Sequence, residues 1–391
     1  MRFRDFRLER YFGEWEFSAK ILLGSSDPES LRLPDLLALA DEDGRRRFGE
    51  LWLGYTESAG LPALREAVAG QYASCQPGDI LVFSAPEEAI FHVVAAVLEP
   101  GDHMVGITPA YQSSYEIPRA LGAEVTLVPL REDRGWALDT DELAARLTSR
   151  TKLIYVNFPH NPTGAMISAA DQRRLAELAD SCGAWLFSDE VYRGLEFDPA
   201  DRLPAAADLY PRAVSLGGLS KAYGLPGVRL GWTACRDAGL NRRLLAAKDF
   251  TTICAAAPSE VLALIAVRAA GQLIGRALAG ITGNLELVDG FFARRPGVFR
   301  WARPRAGSVG FPELLLRMPV AGFCQRLVTR HGVLLVPAGM FESDTNHFRI
   351  GLGRASLPSG LTLLAEFLDE LGVGELGAGE PGGSGTGAVT G

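Results

Sequence analysis

Residues 215–232, SLGGLSKAYGLPGVRLGW, place one lysine, Lys221, directly after an apolar, glycine-rich run. Ser220 precedes it and Arg229 follows eight positions later. The chain has only three other lysines, at positions 20, 152 and 248, so a reaction that needs a lysine amine has few candidates. A partly desolvated lysine has a lowered pKa, and its neutral amine can condense with an aldehyde.

Other polar side chains follow short apolar runs that are typical of strands. FSDEVY supplies Asp189 and, three residues later, Tyr192. NFPHNPTG supplies Asn161 in a turn, and FRIGLGR supplies Arg349 near the end of the folded chain. If these strands are neighbours, a carboxylate, a phenol, an amide and two arginines converge on the lysine amine.

This set of groups suits pyridoxal phosphate chemistry. A lysine binds the cofactor aldehyde, and a carboxylate beside the pyridine nitrogen keeps that nitrogen protonated, which makes the ring an electron sink. An amide and a phenol can both bond the ring hydroxyl oxygen. An arginine can hold a phosphate or a substrate carboxylate through two parallel hydrogen bonds. Each residue alone also has an ordinary structural interpretation, so the hypothesis rests on their occurring together.

The elements that must position these residues alternate after about residue 45. Apolar runs such as DILVF, HMVGIT, KLIYVNF and AWLFS are separated by helical segments such as DQRRLAELADSC. Continuous apolar strands separated by helices predict an α/β fold with a mostly parallel sheet covered on both faces. In such sheets the binding sites form where the strands end.

The pattern changes from about residue 270, where a long helical stretch leads into shorter apolar runs that predict a smaller α+β unit. The last residues are glycine-rich with almost nothing to bury, which predicts disorder. We therefore divide the chain into an N-terminal arm of the small domain (1–45), a large cofactor-binding domain (46–280), a small C-terminal domain (281–373) and a disordered tail (374–391).

Composition excludes several classes of function. The net charge is −8 and no long basic run occurs, which argues against nucleic-acid binding. The five cysteines are scattered without a Cys-x-x-Cys pair, so we expect buried thiols in a reducing compartment and no metal site. No apolar segment is long enough to span a bilayer and the start lacks a signal core. We expect a cytoplasmic protein that does not bind membranes.

The stretches NPTG, SDEVY and SKAYGLPGVRLGW, in this order, resemble the fold-type I pyridoxal-phosphate enzymes, specifically the class I/II aminotransferase family. The resemblance covers about residues 45–365. It implies an aminotransferase-like fold, with a large, mostly parallel seven-stranded sheet domain and a smaller α+β domain. It also implies pyridoxal 5′-phosphate as cofactor, an amino-acid substrate, and a homodimer with shared active sites.

The same resemblance implies roles for the residues around the lysine. Lys221 would be the Schiff-base lysine and proton shuttle, and Asp189 would pair with the pyridine nitrogen. Asn161 and Tyr192 would contact the ring oxygen. Asn161 and Arg349 would contact the substrate, with Arg349 holding its α-carboxylate.

Further matches concern the two ends of the cofactor. Ser220 and Arg229 match the family's phosphate contacts. Tyr111, in TPAYQSSY, matches the aromatic residue that stacks on the ring. Tyr55, in GYTESAGLPALREAVA, matches the tyrosine that reaches the partner subunit's phosphate.

The phosphate loop, FSAPEEAIF, departs from the family pattern. We expect Ser84, Ala85, Pro86 and Glu87 to form it, yet Pro86 has no amide hydrogen and Glu87 places a carboxylate where threonine is common. Two interpretations stay open. Either the other phosphate contacts compensate and Glu87 turns outward, or Glu87 reaches into the site and binds a cationic substrate group or moves a proton.

The reaction itself also has two interpretations, of which an aminotransferase is the first. SAPEEAIF and PAYQS resemble a divergent branch, the capreomycidine synthase-like enzymes, which act on arginine-derived amino acids by dehydration and cyclisation. The alternative is therefore a lyase, cyclase or β/γ-replacement enzyme, carbon–carbon bond formation included, of natural-product biosynthesis. Both begin alike, so Lys221, Asp189 and Arg349 cannot separate them. Two other classes of protein are disfavoured. A ligand-sensing regulator on this fold would need a basic DNA-binding unit, which we do not find before residue 45. A catalytically silent scaffold would not need Lys221 and Asp189.

Overall fold

The computed structural model describes residues 1–373, so the tail predicted over 374–391 lies outside the described residues. A seven-stranded sheet forms its centre. The strands are β1 (Ile80–Phe83), β2 (His103–Thr108), β3 (Glu124–Pro129), β4 (Thr151–Asn157), β5 (Trp185–Asp189), β6 (Ala213–Gly218) and β7 (Gly231–Ala234).

The strand order is β1-β7-β6-β5-β4-β2-β3, and β7 runs opposite to the other six strands. The predicted α/β fold with a mostly parallel sheet is confirmed. Because β4, β5 and β6 are parallel neighbours, their carboxyl ends lie at one edge. The register pairs Asn157 with Asp189, and β6 leads directly into the segment that carries Lys221.

Helices cover the sheet on both faces. They are α1 (Arg7–Trp15), α2 (Leu33–Ala38), α3 (Glu42–Gly49), α4 (Pro62–Ala69), α5 (Pro86–Val97), α6 (Ser113–Leu121), α7 (Thr140–Arg146), α8 (Ala169–Cys182), α9 (Ala206–Leu209), α10 (Ala238–Lys248), α11 (Ala257–Arg268), α12 (Ala270–Ala293), α13 (Val320–His331) and α14 (Leu357–Glu370). Successive side chains of β4 enter different cores, Leu153 on one side and Ile154 on the other. This alternation explains why the strand is apolar throughout.

A smaller unit follows α12. Its strands are β8 (Phe299–Arg300), β9 (Val309–Gly310), β10 (Glu313–Leu314), β11 (Val336–Pro337) and β12 (Phe348–Gly351). They form a three-stranded sheet, β11-β12-β9, and a two-stranded one, β10-β8. The N-terminal arm joins this unit, because Ile21 bridges Val333 and the Gly24 amide donates to the Leu334 carbonyl oxygen at 2.6 Å. The domain boundary at residue 280 stays a prediction, and α12 runs through it.

Membrane-spanning potential is confined to one pair of helices. No single helix in residues 1–373 has the length and apolarity to cross a bilayer, whereas α11 and α12 meet those two criteria together with a 77° bend between them. All five cysteines are free thiols.

Gly351 tests the packing of the arm against β12. A methyl group at this position would overlap the Ser25 backbone carbonyl, which side-chain motion cannot relieve. We expect Gly351→Ala to lower the free energy of unfolding by about 3 kcal/mol, at the upper end of ordinary overpacking. The control is Gly283→Ala on α12, where the methyl meets open space and should stabilise by about 0.5–1 kcal/mol. Urea unfolding measures both free energies. An unchanged free energy of unfolding for Gly351→Ala would show that Ser25 does not pack against Gly351.

Candidate active site

A cavity of about 440 Å³ opens at the carboxyl ends of β4, β5 and β6. It brings together most of the residues predicted from the sequence. Those that line it are Pro86, Glu87, Tyr111, Asn161, Asp189, Tyr192, Ser220, Lys221, Arg229 and Arg349.

Lys221 lies on the short connection between β6 and β7. The connection is closed by the Leu225 amide, which donates to the Leu219 carbonyl at 2.9 Å, and turns at Gly224, whose φ of +65° suits glycine. The Lys221 ammonium donates to Ser26 Oγ at 2.7 Å and stands 6.0 Å from the centre of the Tyr192 ring. The amine therefore faces the cavity, and within residues 1–373 its one hydrogen-bond partner is a neutral hydroxyl.

Asp189 ends β5, and both carboxylate oxygens have a donor. Oδ1 accepts from the Val191 amide at 3.2 Å, and Oδ2 lies 3.5 Å from the Tyr155 hydroxyl. Asn157 Nδ2 donates to the Asp189 backbone carbonyl at 2.9 Å, which fixes the strand end. Burial raises the pKa of Asp189 to about 6, against the lowering effects of the Val191 amide and Lys221. A protonated ring nitrogen beside it would favour the ionised carboxylate.

Arg349 enters the cavity from β12 and is 1% exposed. Its Nε donates to the Gly24 carbonyl at 3.0 Å and its Nη1 to Asn161 Oδ1 at 3.1 Å. Its Nη2 has no hydrogen-bond partner among the described residues, and neither does the buried Tyr192 hydroxyl. Burying such a group unpaired costs about 1–3 kcal/mol, so the two atoms mark places where a ligand acceptor belongs.

Tyr111 closes one side of the cavity together with α1. Its hydroxyl donates to Glu9 Oε1 at 2.9 Å, and its ring packs on Phe6 with centroids 5.0 Å apart. Phe12, from the same helix, and Glu16, which directly follows the helix, also line the cavity. The helix therefore narrows the access of water to the site.

Glu87 lies in the first turn of α5, which begins at Pro86. Proline suits this first position because its missing amide hydrogen has no intrahelical acceptor there. The Glu87 side chain faces the cavity, where Ser113 Oγ donates to its Oε2 at 3.3 Å. Burial raises the pKa of Glu87 to about 7, with Glu9 acting in the same direction. Of the two orientations left open above, the structure has the inward one, and the role of Glu87 stays a prediction.

Three predicted residues lie outside the cavity. The Ser84 amide is already bound by Glu88 Oε2 at 2.6 Å, and Ala85 is the buried residue that precedes α5. Neither residue lines the cavity, and their contact with the cofactor stays a prediction. Tyr55 is 83% exposed, as a residue that serves a partner subunit would be in one chain.

The sequence analysis missed the contribution of the N-terminal arm. Ser26 binds the lysine, Glu9 and Glu16 face the cavity, and Asp27 pairs with Arg354 at 2.6 Å. The one indication in the sequence is the stretch LLGSSDP, in which polar residues directly follow an apolar run. Nothing local in the arm shows that it returns to the site.

Tyr155 and His160 are two further residues of the cavity wall. Tyr155 comes from the apolar run of β4 and touches Asp189. His160 Nδ1 lies 2.8 Å from the Thr163 hydroxyl, and burial lowers the pKa of His160 to about 3. His160 is therefore neutral at ordinary pH and acts as a structural hydrogen-bonding group.

Three comparisons match this fold and site. The profile of aminotransferase class I and II matches residues 18–360. The chain is 35% identical over 367 residues to capreomycidine synthase from Streptomyces vinaceus, covering 92% of this chain and 93% of that protein. It is 32% identical over 319 residues to arginine–pyruvate transaminase from Pseudomonas aeruginosa, covering 76% and 77%. The solved structure of the PLP-dependent cyclase OrfR has a TM-score of 0.85 at 30% identity, covering 95% of this chain and 98% of that chain.

The fold and the comparisons define an enzyme with aminotransferase or cyclase activity. The chain belongs to the aminotransferase class I and II family. Family membership implies pyridoxal phosphate, and the site fits it: an amine, a carboxylate and an unpartnered phenol line one cavity, at Lys221, Asp189 and Tyr192. Ser220 and Arg229 line the same cavity and can serve the phosphate. The individual roles stay predictions.

The buried Glu87 carboxyl gives a test by pH in the cofactor-free protein. Its folded pKa of about 7 lies above the ordinary value, so its ionisation opposes folding as the pH rises. Glu87→Gln should therefore gain stability relative to the unsubstituted protein between about pH 5 and about pH 8, by up to about 3 kcal/mol. Urea unfolding at both pH values measures the difference. The exposed Glu66→Gln on α4 is the control, and a Glu87→Gln difference that does not grow with pH would contradict this placement.

Proposed function

We propose that this protein is a pyridoxal-phosphate enzyme that removes the α-proton of an amino acid with a cationic side chain and then eliminates or cyclises. The proposal is supported by the charged groups of the cavity, which include cations and carboxylates without an ion-pair partner among residues 1–373. Buried Arg349 keeps one nitrogen free for a carboxylate, while several acidic side chains on the walls have no cationic partner. A substrate with an α-carboxylate and a cationic side chain would supply a partner for each.

The first half of the reaction uses three side chains. Arg349 binds the substrate α-carboxylate, which orients the bond between Cα and its hydrogen. The Lys221 amine, once free, takes the proton from Cα as general base. When bound, pyridoxal phosphate supplies the electron sink that makes this proton acidic. Asp189 favours the protonated form of the ring nitrogen because an opposite charge beside it stabilises that proton.

The residues around these groups limit other reactions. Tyr111 and α1 cover the cavity and keep water from the reacting carbon. The Tyr192 hydroxyl is free to bond the ring oxygen, and Asn161 is held toward Arg349 by its hydrogen bond. These contacts orient the reactants and do not by themselves choose the product.

The acidic wall supports a cationic substrate. Glu9, Glu16 and Glu87 face the cavity, and none of them has an arginine or lysine within ion-pair distance in residues 1–373. Burial raises the pKa of Glu16, and Asp27 and Glu9 act in the same direction, whereas Arg354 and Lys221 act against them to a smaller extent. A guanidinium or ammonium group would supply the counter-charge. The name of the relative from Pseudomonas aeruginosa, arginine–pyruvate transaminase, agrees with this chemistry.

Elimination or cyclisation is favoured over simple amino transfer by Glu87. Amino transfer needs one group to move the proton, and Lys221 suffices for it. Loss of a β-substituent also needs a proton donor for the leaving group. Glu87, with a pKa near neutrality, can give that proton. Likeness to a capreomycidine synthase and to a cyclase supports this order of preference, and suggests a biosynthetic pathway.

Amino transfer is the second candidate, because a relative named as a transaminase matches three quarters of this chain. Both candidates share the site described above and differ only after the α-proton has left. The product of a single turnover separates them.

A homodimer is part of the proposal. Four large apolar side chains on two adjacent segments are strongly exposed: Trp52 by 78%, Leu53 by 79%, Tyr55 by 83% and Phe250 by 91%. We call these residues the partner-facing patch. Exposed apolar patches of this kind mark interaction surfaces, and the patch includes the tyrosine expected to serve the partner's phosphate.

A single-turnover experiment tests the function. Protein loaded with pyridoxal phosphate is mixed with arginine, a β-hydroxylated arginine, norleucine and aspartate. We expect the cofactor's absorbance to return unaltered while the β-hydroxylated substrate is converted. Stoichiometric pyridoxamine phosphate would establish amino transfer instead. Reaction with aspartate alone would contradict the proposed substrate class, and turnover by Lys221→Ala would contradict the assigned base.

Glu16 tests the acidic wall separately. Glu16→Gln should lower kcat/KM for arginine-like substrates about fivefold, as expected for a partly exposed charge pair of about 1 kcal/mol. Activity with a neutral substrate of similar length should be unchanged. Glu14→Gln, which alters an exposed carboxylate on the same helix, is the control. Equal losses for cationic and neutral substrates would show that Glu16 does not recognise charge.

A further inference from the structure

Glu88 is a charged residue that the proposed reaction does not use. It follows Glu87 on α5, its side chain is 13% exposed, and its carboxylate is shared between two parts of the chain. Oε2 accepts from the Ser84 amide at 2.6 Å. Oε1 accepts from the Thr252 hydroxyl at 2.7 Å and from the Thr251 hydroxyl at 3.1 Å.

These hydrogen bonds keep Glu88 ionised. Burial acts to raise the pKa of Glu88, but hydrogen bonds with His92, Thr252, Ser84 and Thr251 outweigh it and lower the pKa to about 2. His92, one turn along α5, has Nε2 3.7 Å from Oε1. The carboxylate is thus a permanent acceptor at the base of the helix.

On the cofactor side, Glu88 holds the turn formed by residues 84–87. This turn leads into the amino end of α5, where free amides point outward and attract anions such as phosphate. Pro86 supplies no amide, so the position of the few remaining donors matters more. By fixing the Ser84 amide, Glu88 fixes the start of the helix that can serve the phosphate.

On the other side, Glu88 holds residues 249–254, which we call the 249–254 loop. This loop carries Phe250 of the partner-facing patch. Ile253 has a φ of +63°, a left-handed conformation that is unfavourable for a β-branched residue. Such a conformation persists only where the surroundings hold it, and Glu88 binds the two threonines that precede Ile253.

Lys248 attaches the second segment of the patch to the same network. It is 1% exposed, and its ammonium donates to the Ser58 carbonyl at 2.5 Å. Glu88 and Glu260 supply the nearby negative charges. The Thr56 hydroxyl donates to the Ala255 carbonyl at 3.0 Å, which links the segment with Tyr55 to the residue that follows the 249–254 loop.

We propose that Glu88 is a positioning residue that links the turn formed by residues 84–87 to the 249–254 loop. Through this link, cofactor binding and subunit association would strengthen each other. The inference rests on the proposed homodimer and cofactor. Because linkage is reciprocal, whatever factor the cofactor adds to subunit affinity the partner adds to cofactor affinity.

The test measures that factor in the full-length protein. Sedimentation gives the subunit dissociation constant with and without pyridoxal phosphate, and the ratio is the coupling factor. The double variant Thr251→Val, Thr252→Val removes two hydroxyls from exposed positions and leaves the Ser84 bond intact. We expect its coupling factor to fall at least about fivefold, within the range usual for coupled sites. Thr329→Val, an exposed helical threonine on α13, is the control and should keep the original factor.

Each outcome decides a different claim. A double variant that dimerises and binds the cofactor with an unaltered coupling factor overturns the role of Glu88. Glu88→Gln keeps an acceptor but loses the charge, so its coupling factor should lie between those of the unsubstituted protein and the double variant. A coupling factor equal to that of the unsubstituted protein would also contradict the proposed role of Glu88. If the unsubstituted protein neither dimerises nor binds pyridoxal phosphate, the proposed function fails first and the inference fails with it.

Discussion

The buried guanidinium of Arg349 connects the three parts of this molecule. It leaves β12, donates to the Asn161 side chain at the end of the central sheet, and donates to the Gly24 carbonyl of the N-terminal arm. Removing a guanidinium from water costs several kcal/mol unless its hydrogen bonds are made. Sheet, small unit and arm must therefore all be in place before this charge is tolerated. The same requirement leaves one nitrogen directed into the cavity, where it can bind a carboxylate.

The cavity beside Arg349 is lined by charged side chains of both signs. Arg349 and Lys221 bring positive charge to the cavity, and the arm and α5 bring carboxylates to it. Asp27 is neutralised by Arg354, but Glu9, Glu16 and Glu87 are not neutralised within residues 1–373. In a partly desolvated site these charges discriminate strongly, because water screens them little. Substrate choice thus arises from residues far apart in sequence, while the chemistry arises from the strand ends.

The strand ends were predictable, and the arm was not. Asp189 and Lys221 converge because parallel neighbouring strands end at one edge, a rule that needs only the apolar runs and their order. The arm reaches the site through long-range contacts, among them Arg4 with Glu116 and Arg7 with Glu342, which no local pattern shows. Glu87 was ambiguous for a similar reason, since its direction depends on Ser113 of another helix. The sequence also does not show that the Glu88 carboxylate binds the Ser84 amide, and Ser84 and Ala85 do not line the cavity.

The central claim is that Lys221 is the lysine that binds the cofactor. Lys248 is the competing candidate, because it is buried and burial lowers its pKa. Borohydride treatment of the protein loaded with pyridoxal phosphate converts the lysine–cofactor bond into a stable secondary amine, and peptide mass mapping then locates it. We expect one phosphopyridoxyl group per chain, on the peptide that contains Lys221. The same group on Lys248, or none at all, would contradict it.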